Sequence, residues 1–278
     1  MSRAIGLSLK QHPPRGDFDA ILIGSGIGGL SAAALLAREG GKRVLVLERH
    51  YRLGGYTQVF TRPGYEWDVG LHYVGGMSDG HPMRALFDRV SERRLDWAPM
   101  PDVYDAIEVG GRRFEYRRGR EAFVEGLAAH FPHRRQAPEA YRARCITATR
   151  RSQFALLESM RPAPVPRLAG FQLEPKLPDW AEKTTAETLT GLGFDALERA
   201  ALTGQYGNYG PWPEHSSFVT HAAVVEHYLD GGWYPVGGAS ALQRSIAPTI
   251  EAAGGHLAVC AEVAEILVER GRVMGVRL

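Results

Sequence analysis

The sequence predicts an α/β fold, in which a domain built on parallel strands is interrupted by a mostly helical α+β block. Three observations predict it. An apolar strand, Asp19 to Ile23, runs through Gly24-Ser-Gly26-Ile-Gly28-Gly29 into a small-residue helix and then a second apolar strand, Arg43 to Leu47. The pattern of helix, glycine pair and strand occurs twice, at Glu39-Gly40-Gly41 and again at Ala253-Gly254-Gly255. The residues between these two copies carry mostly helical spacing.

In the opening unit each position has its own task. Gly24 permits the tight strand-to-helix turn, Gly26 lets a pyrophosphate approach the backbone, and Gly29 lets helix and strand pack closely. The helix, Ile27 to Arg38, aims free N–H groups and the positive end of its dipole at the phosphates, and Gly28 lies in its first turn. Ala33, one turn on, keeps it near the sheet. Glu48, 19 residues past Gly29, is placed to accept hydrogen bonds from ribose hydroxyls, and its charge disfavours the 2′-phosphate of NADP. This is a Rossmann-like dinucleotide site. The same stretch holds 18 uncharged residues, Ala20 to Ala37, close to the length of a membrane span or signal peptide. Four glycines, two serines and an acidic flank at Asp17 and Asp19 argue against both.

The remaining elements follow in order. Residues 1–16 are polar, with Pro13-Pro14, and read as a loose leader. Val59 to Thr61 and Tyr65 to Val69 are short strands around Pro63-Gly64, and Asp105 to Val109 with Arg112 to Tyr116 form a hairpin about Gly110-Gly111. Helices are expected over Glu121 to His130 and Pro138 to Met160, then a loop over Arg161 to Pro178, which holds five prolines. Thr184-x-x-Glu187 is a capping box, and Phe218 to Leu229 is apolar at helical spacing. Ser240-x-x-Gln243 reads as a second capping box on a helix to Ala253, which Gly254-Gly255 ends. Strands Leu257 to Cys260, Val263 to Glu269 and Val273 to Leu278 close the chain, the first of them expected to join the opening sheet. Leu278 falls inside an apolar strand without a turn signal, which reads as truncation.

Composition bounds the partners. With 278 residues and 44% hydrophobic content, the chain can form two modest domains, and a net charge of +2 does not suggest nucleic acid. Arginines cluster at 112, 113, 117, 118 and 120, and again at 134, 135, 142, 144, 150 and 151. They form a solvated face or a patch that meets an anionic membrane surface. Cys145 and Cys260 have no metal-ligand spacing, and a cytoplasmic setting is the default.

Beyond Glu48 and Arg49, the pair Gly54-Gly55 resembles the FAD-binding signature of glutathione-reductase-like flavoproteins, although Tyr56 stands where that group commonly has Arg or Lys. FAD is therefore expected rather than NAD. Gly64-Tyr-Glu-Trp-Asp68-Val-Gly70-Leu-His72-Tyr-Val-Gly75, Gly204-Gln-Tyr-Gly-Asn-Tyr-Gly210 and His227-Tyr-Leu-Asp-Gly-Gly-Trp-Tyr-Pro-Val-Gly237-Gly238 resemble the phytoene desaturase, carotenoid isomerase and retinol saturase group. The resemblance covers most of residues 18–278 and is nearest to retinol saturase-like proteins. It implies an FAD domain at 17–80 and 236–278 around a substrate domain at 81–235. It also implies that Val263, on its strand, contacts the adenine end through its backbone, and that a further glycine-rich segment completes the flavin pocket. The implied substrate is a small lipid of the polyene type, desaturated, saturated or isomerised.

Flavin chemistry asks little of side chains. His72 is the candidate to give or take the proton that accompanies hydride transfer, against a plainer role as a turn histidine satisfied by backbone. Tyr206, Tyr209, Trp212, Trp233 and Tyr234 can line a slot for a flat conjugated chain, or they are core. His221 and His227, six residues apart on one helix, do not share a face, and no metal site is read. The rival readings are a flavin amine oxidase on the same fold and a flavoprotein fragment without activity.

Overall fold

A computed structural model of the protein describes residues 6–134, 136–160 and 182–278. Its elements begin with β1 (Leu7–Ser8), β2 (Ala20–Ile23), α1 (Ile27–Arg38), β3 (Val44–Glu48), β4 (Val59–Arg62), β5 (Tyr65–Asp68), α2 (Pro82–Val90) and β6 (Trp97–Pro99). A middle group follows: β7 (Val103–Val109), β8 (Arg112–Arg117), α3 (Arg120–His130), α4 (Ala137–Ser159), α5 (Thr185–Gly191), α6 (Ala196–Leu202) and α7 (Phe218–Tyr228). The chain ends with β9 (Trp233–Pro235), α8 (Ser240–Ala252), β10 (His256–Val259), β11 (Glu265–Glu269) and β12 (Arg272–Arg277). It divides into two compact units, one holding residues up to 73, 77–99 and 233 onward, the other 74–76 and 100–232.

The first unit is built on a parallel sheet of order β1-β10-β3-β2. β3, Val-Leu-Val-Leu-Glu, is buried along its whole length because both faces of the sheet are covered, which is why its apolar run does not alternate. On one face Leu30, Ala33, Ala34 and Ala37 of α1 pack with Val44, Val46, Ile246, Ala247, Ile250 and Leu257. On the other, Leu45, Leu47, Ala258 and Ala261 gather Leu9, Phe18, Ile21 and Val263. Each large aliphatic so buried contributes roughly 1.5–3 kcal/mol. The expected joining of β10 to the opening sheet is found, with Leu257 opposite Val46. The uncharged stretch at 20–37 is a strand, a turn and a 12-residue helix. Among the described residues no helix is long and apolar enough to cross a membrane.

The second unit combines the β7–β8 hairpin, Ile107 opposite Phe114, with helices α3 to α7 around Phe131, Tyr141, Phe194 and Phe218. The Thr184 capping box is present: Thr184 Oγ1 accepts from Glu187 N at 3.1 Å and Glu187 Oε2 accepts from Thr184 N at 2.8 Å. Most of the arginine run is paired with acids. Arg113 meets Glu108 and Glu115, Arg117 meets Glu115, Arg118 meets Asp102, Arg120 meets Glu226 and Asp230, Arg134 meets Glu198, and Arg142 meets Glu139.

Several expectations are corrected. The leader is not wholly loose, since Leu7–Ser8 adds an edge strand to β10, whose outer backbone groups need partners. Val263 is not on a strand: Ala261 N donates to Glu48 O and Cys260 N to His50 O, both at 2.9 Å. These bonds hold the backbone at the end of β3, so β11 begins only at Glu265. Ser240 does not cap α8, because Gln243 turns inward and the N-cap position falls to Ala239, which makes no side-chain cap bond. Residues 81–99 and 233–235, placed by the sequence reading in the substrate domain, lie in the first compact unit. The helix α2 escaped notice, although His81-Pro82 announces it, with His81 Nδ1 accepting from Met83 N. The proline-rich stretch Arg161 to Pro178 lies outside the described residues.

Candidate dinucleotide-binding site

Gly24 takes φ +93°, a conformation closed to most L side chains, which lets the chain leave β2 and enter α1 at once. Its N–H donates to Leu47 O at 2.8 Å and ties the turn to β3. Gly29 is demanded by contact, because a Cβ there would stand 2.3 Å from Gly24 O. At Gly26 and Gly28 an added Cβ meets nothing within 4 Å among the described residues, so no contact there demands glycine. What a side chain would fill there is the open space beside the first turn of α1. That turn has no side-chain cap and no acid, so its N–H groups and dipole are unneutralised and suited to an anion.

Glu48 ends β3, only 7% exposed. Its Oε2 accepts from Ser25 N at 2.8 Å and Ser25 Oγ at 2.6 Å, and its Oε1 accepts from His50 N at 2.8 Å. Burial is the largest single influence on this carboxyl and pushes its pKa up. The hydrogen bonds from Ser25 and His50 together outweigh burial and hold it below its ordinary 4.5. The carboxylate is therefore ionised and fixed in direction, with Oε1 able to accept once more. It lines a cavity of about 360 Å³ with Arg49, His50, Gly55, Tyr56, Gln58 and Val69.

Gly54 and Gly55 close the site from the other side. Gly54 pairs with Gly26 in a parallel bridge and donates its N–H to Ser25 Oγ at 3.0 Å. Ser25, fully buried, thus joins the ribose acid to the second glycine pair. The structure brings Gly24, Gly26, Gly28, Gly29, Glu48, Arg49, Gly54 and Gly55 together in the first unit. Val263, half-buried, follows the segment bonded to Glu48 and His50. This donor set fits the ADP half of a dinucleotide: open backbone N–H groups for a pyrophosphate and an aimed carboxylate for a ribose.

The other candidates lie elsewhere. His72 is exposed and its Nδ1 sits 2.7 Å from Tyr73 O, so its nearest polar partner is backbone. In the first unit, Trp233 is 7% exposed on β9, opposite Pro99, and Tyr234 is half-buried. In the second, Tyr206 stacks on Trp212 with centroids 5.6 Å apart. Tyr209 OH lies 3.0 Å from His221 Nδ1, and Tyr141 OH 2.7 Å from His221 Nε2. Burial pushes His221 down to about 3, so this histidine is neutral between two phenols. Gly75 N donates to His227 Nε2 at 2.8 Å. Among the described residues no group of three His, Cys, Asp or Glu could hold a metal ion.

Ser25, His50 and Gln243 are residues of the site that sequence reasoning missed, while Thr57 was noted only as following the second glycine pair. Ser25 and His50 act on Glu48, and Thr57 and Gln243 stand behind Gly54. Only Ser25 carried a signal, as the polar residue inside a turn of glycines.

The profile of the family described as flavin containing amine oxidoreductase matches residues 27–278. The chain is 36% identical to human all-trans-retinol 13,14-reductase over 97% of its own length and 45% of that protein. It is 27% identical to prolycopene isomerase 2 of an Oncidium hybrid cultivar, over 94% of the chain and 46% of that protein. It thus spans less than half of these curated relatives. A solved oxidoreductase from Methanosarcina mazei shares the fold with a TM-score of 0.61 at 16% identity, covering 92% of this chain and 55% of that one. The α/β class and the resemblance expected from the sequence are both borne out.

Proposed function

The chain belongs to the flavin-containing amine oxidoreductase family, and from that premise we propose that it works as an FAD-dependent oxidoreductase on carbon–carbon bonds of a polyene or related isoprenoid lipid. The observation that carries this reading is the 36% identity to a retinol reductase along almost the whole chain. When bound, the flavin supplies hydride chemistry at N5. The chain's own part is binding and proton handling. Gly26, Gly28 and the N-terminus of α1 hold the pyrophosphate, Glu48 takes the ribose, and Arg49, Gly54, Gly55 and the Val263 backbone complete the grip. His72 holds the proton that accompanies hydride transfer: with Nδ1–H donating to Tyr73 O, Nε2 is the working nitrogen. Tyr206 and Tyr209 in the second unit, and Trp233 and Tyr234 in the first, are the aromatic candidates for contact with a conjugated chain.

The reading extends to a cytoplasmic protein that meets its lipid at a bilayer surface. Because the arginine run is largely paired with acids, that contact is weak and salt-sensitive. Anaerobic mixing tests the chemistry. Photoreduced flavoprotein is expected to be reoxidised by all-trans-retinol or a carotenoid, and His72→Gln to slow this step without altering flavin affinity. Bleaching of the oxidised flavin by amines, with no response of the reduced form to any polyene, would overturn the reading in favour of an amine oxidase.

A further inference from the structure

Gln243 lies on α8 and is 3% exposed. Its amide nitrogen donates to Thr57 O at 2.7 Å and to Thr57 Oγ1 at 3.0 Å. Thr57 Oγ1 in turn donates to Gly54 O at 2.8 Å. Gly54, at φ +117°, sits so near that a Cβ there would stand 1.9 Å from Gln243 Nε2. The other half of the amide is unsatisfied among the described residues, since Gln243 Oε1 is buried without a hydrogen-bond partner there. A buried, half-satisfied amide is a poor choice for stability alone, because the desolvated, unpaired Oε1 costs free energy that is set against its donor bonds to Thr57. Nor does α8 need it as an anchor, since Ile246, Ala247 and Ile250 already fix the helix in the core.

We propose that Gln243 is a positioning residue for the cofactor, holding the Gly54-Gly55 turn against Gly26 by way of Thr57. Gly54 N donates to Ser25 Oγ and Ser25 Oγ donates to Glu48 Oε2, so the same chain of bonds runs from α8 to the ribose acid. A helix from the far end of the sequence thus sets both grips of the site. The proposal rests on the flavin reading above and deepens it by naming what shapes the second glycine pair.

The test is flavin affinity, read by fluorescence titration of the purified protein over a range of pH. Gln243→Met keeps the length and removes the donors, and is expected to weaken FAD binding by about tenfold, the scale of one net hydrogen bond. Gln243→Glu is the sharper variant. Its ionised carboxylate cannot donate to Thr57 O, whereas its protonated form can, so affinity relative to wild type is expected to recover as pH falls. Glu48, the other ionisable member of the network, titrates in both proteins, and the ratio between them removes its effect. Protonation would also relieve the cost of a buried charge, so Thr57→Val, which breaks the link without adding a charge, separates positioning from space filling. Thr57→Val breaks the link from its other end and is expected to match Gln243→Met, while Thr57→Ser keeps the hydroxyl and binds as wild type. FAD binding by Gln243→Met and Thr57→Val at wild-type strength, or a Gln243→Glu deficit that ignores pH, would overturn the proposal alone. Failure of the wild-type protein to bind FAD would overturn the flavin reading and this proposal with it.

Discussion

At the scale of single residues, the site depends on a carboxylate that the protein's own hydrogen bonds hold in place. Glu48 is held by three donors, two from Ser25 and one from His50. Its pKa in the folded state lies below the ordinary 4.5. A depressed carboxyl stabilises the fold fully above that value and loses its contribution as pH falls through the acid range beneath it. Glu48→Gln is therefore expected to cost about 1–3 kcal/mol at neutral pH, the range for a broken buried hydrogen-bond set. The gap from wild type should narrow on acidification, as followed by urea unfolding without flavin. A gap that stayed constant would mean that the carboxylate is not held ionised by these bonds. The glycines and Glu48 were legible because each answers a backbone or charge requirement that spacing alone expresses. The role of Ser25 was not legible, since it exists only once Glu48 and Gly54 come together beside it.

Among the elements, local chemistry decided some boundaries and tertiary contacts decided others. α1 runs from Ile27 to Arg38 as expected, because glycine turn, small-residue face and glycine pair all agree. The two Ser/Thr-x-x-Glu/Gln patterns looked alike and behave differently. At Thr184 the reciprocal bonds form, whereas at Ser240 the glutamine is drawn into Thr57 and the hydroxyl accepts from Arg244. A third box at Asp195, with Glu198, went unread and is complete. Asp195→Ala is thus expected to destabilise the second unit by about 1 kcal/mol, while Ser240→Ala stays within roughly 0.5 kcal/mol of wild type. Thermal unfolding of the two variants side by side checks this. Equal losses would restore Ser240 as a working cap.

Over the whole chain, the least legible feature was which strand stands next to which. β10 arrives more than 200 residues after β3 and lies beside it, with β1 on its outer edge. Apolar runs announce strands, but a parallel order is set by crossovers and packing that no local pattern records. One consequence is that the residues which fit an ADP moiety fall in one unit. α1, β3, the Gly54-Gly55 turn and α8 belong to the first unit, and the contacts described above that fit an ADP moiety lie there. ADP alone should therefore stabilise the protein, as FAD should, while FMN, which lacks the adenylate half, should not. A ligand that binds only the folded state at a concentration a hundred times its Kd adds about 2.7 kcal/mol, large enough to read as a thermal shift. Gly26→Val fills the open space beside α1 with a side chain whose Cβ touches no atom of the described residues. The flavin-free variant should thus keep much of its stability and lose the response to both ADP and FAD. An FMN shift as large as the ADP shift would mean that recognition lies with the isoalloxazine half, and that the glycine turn is scaffolding for the sheet.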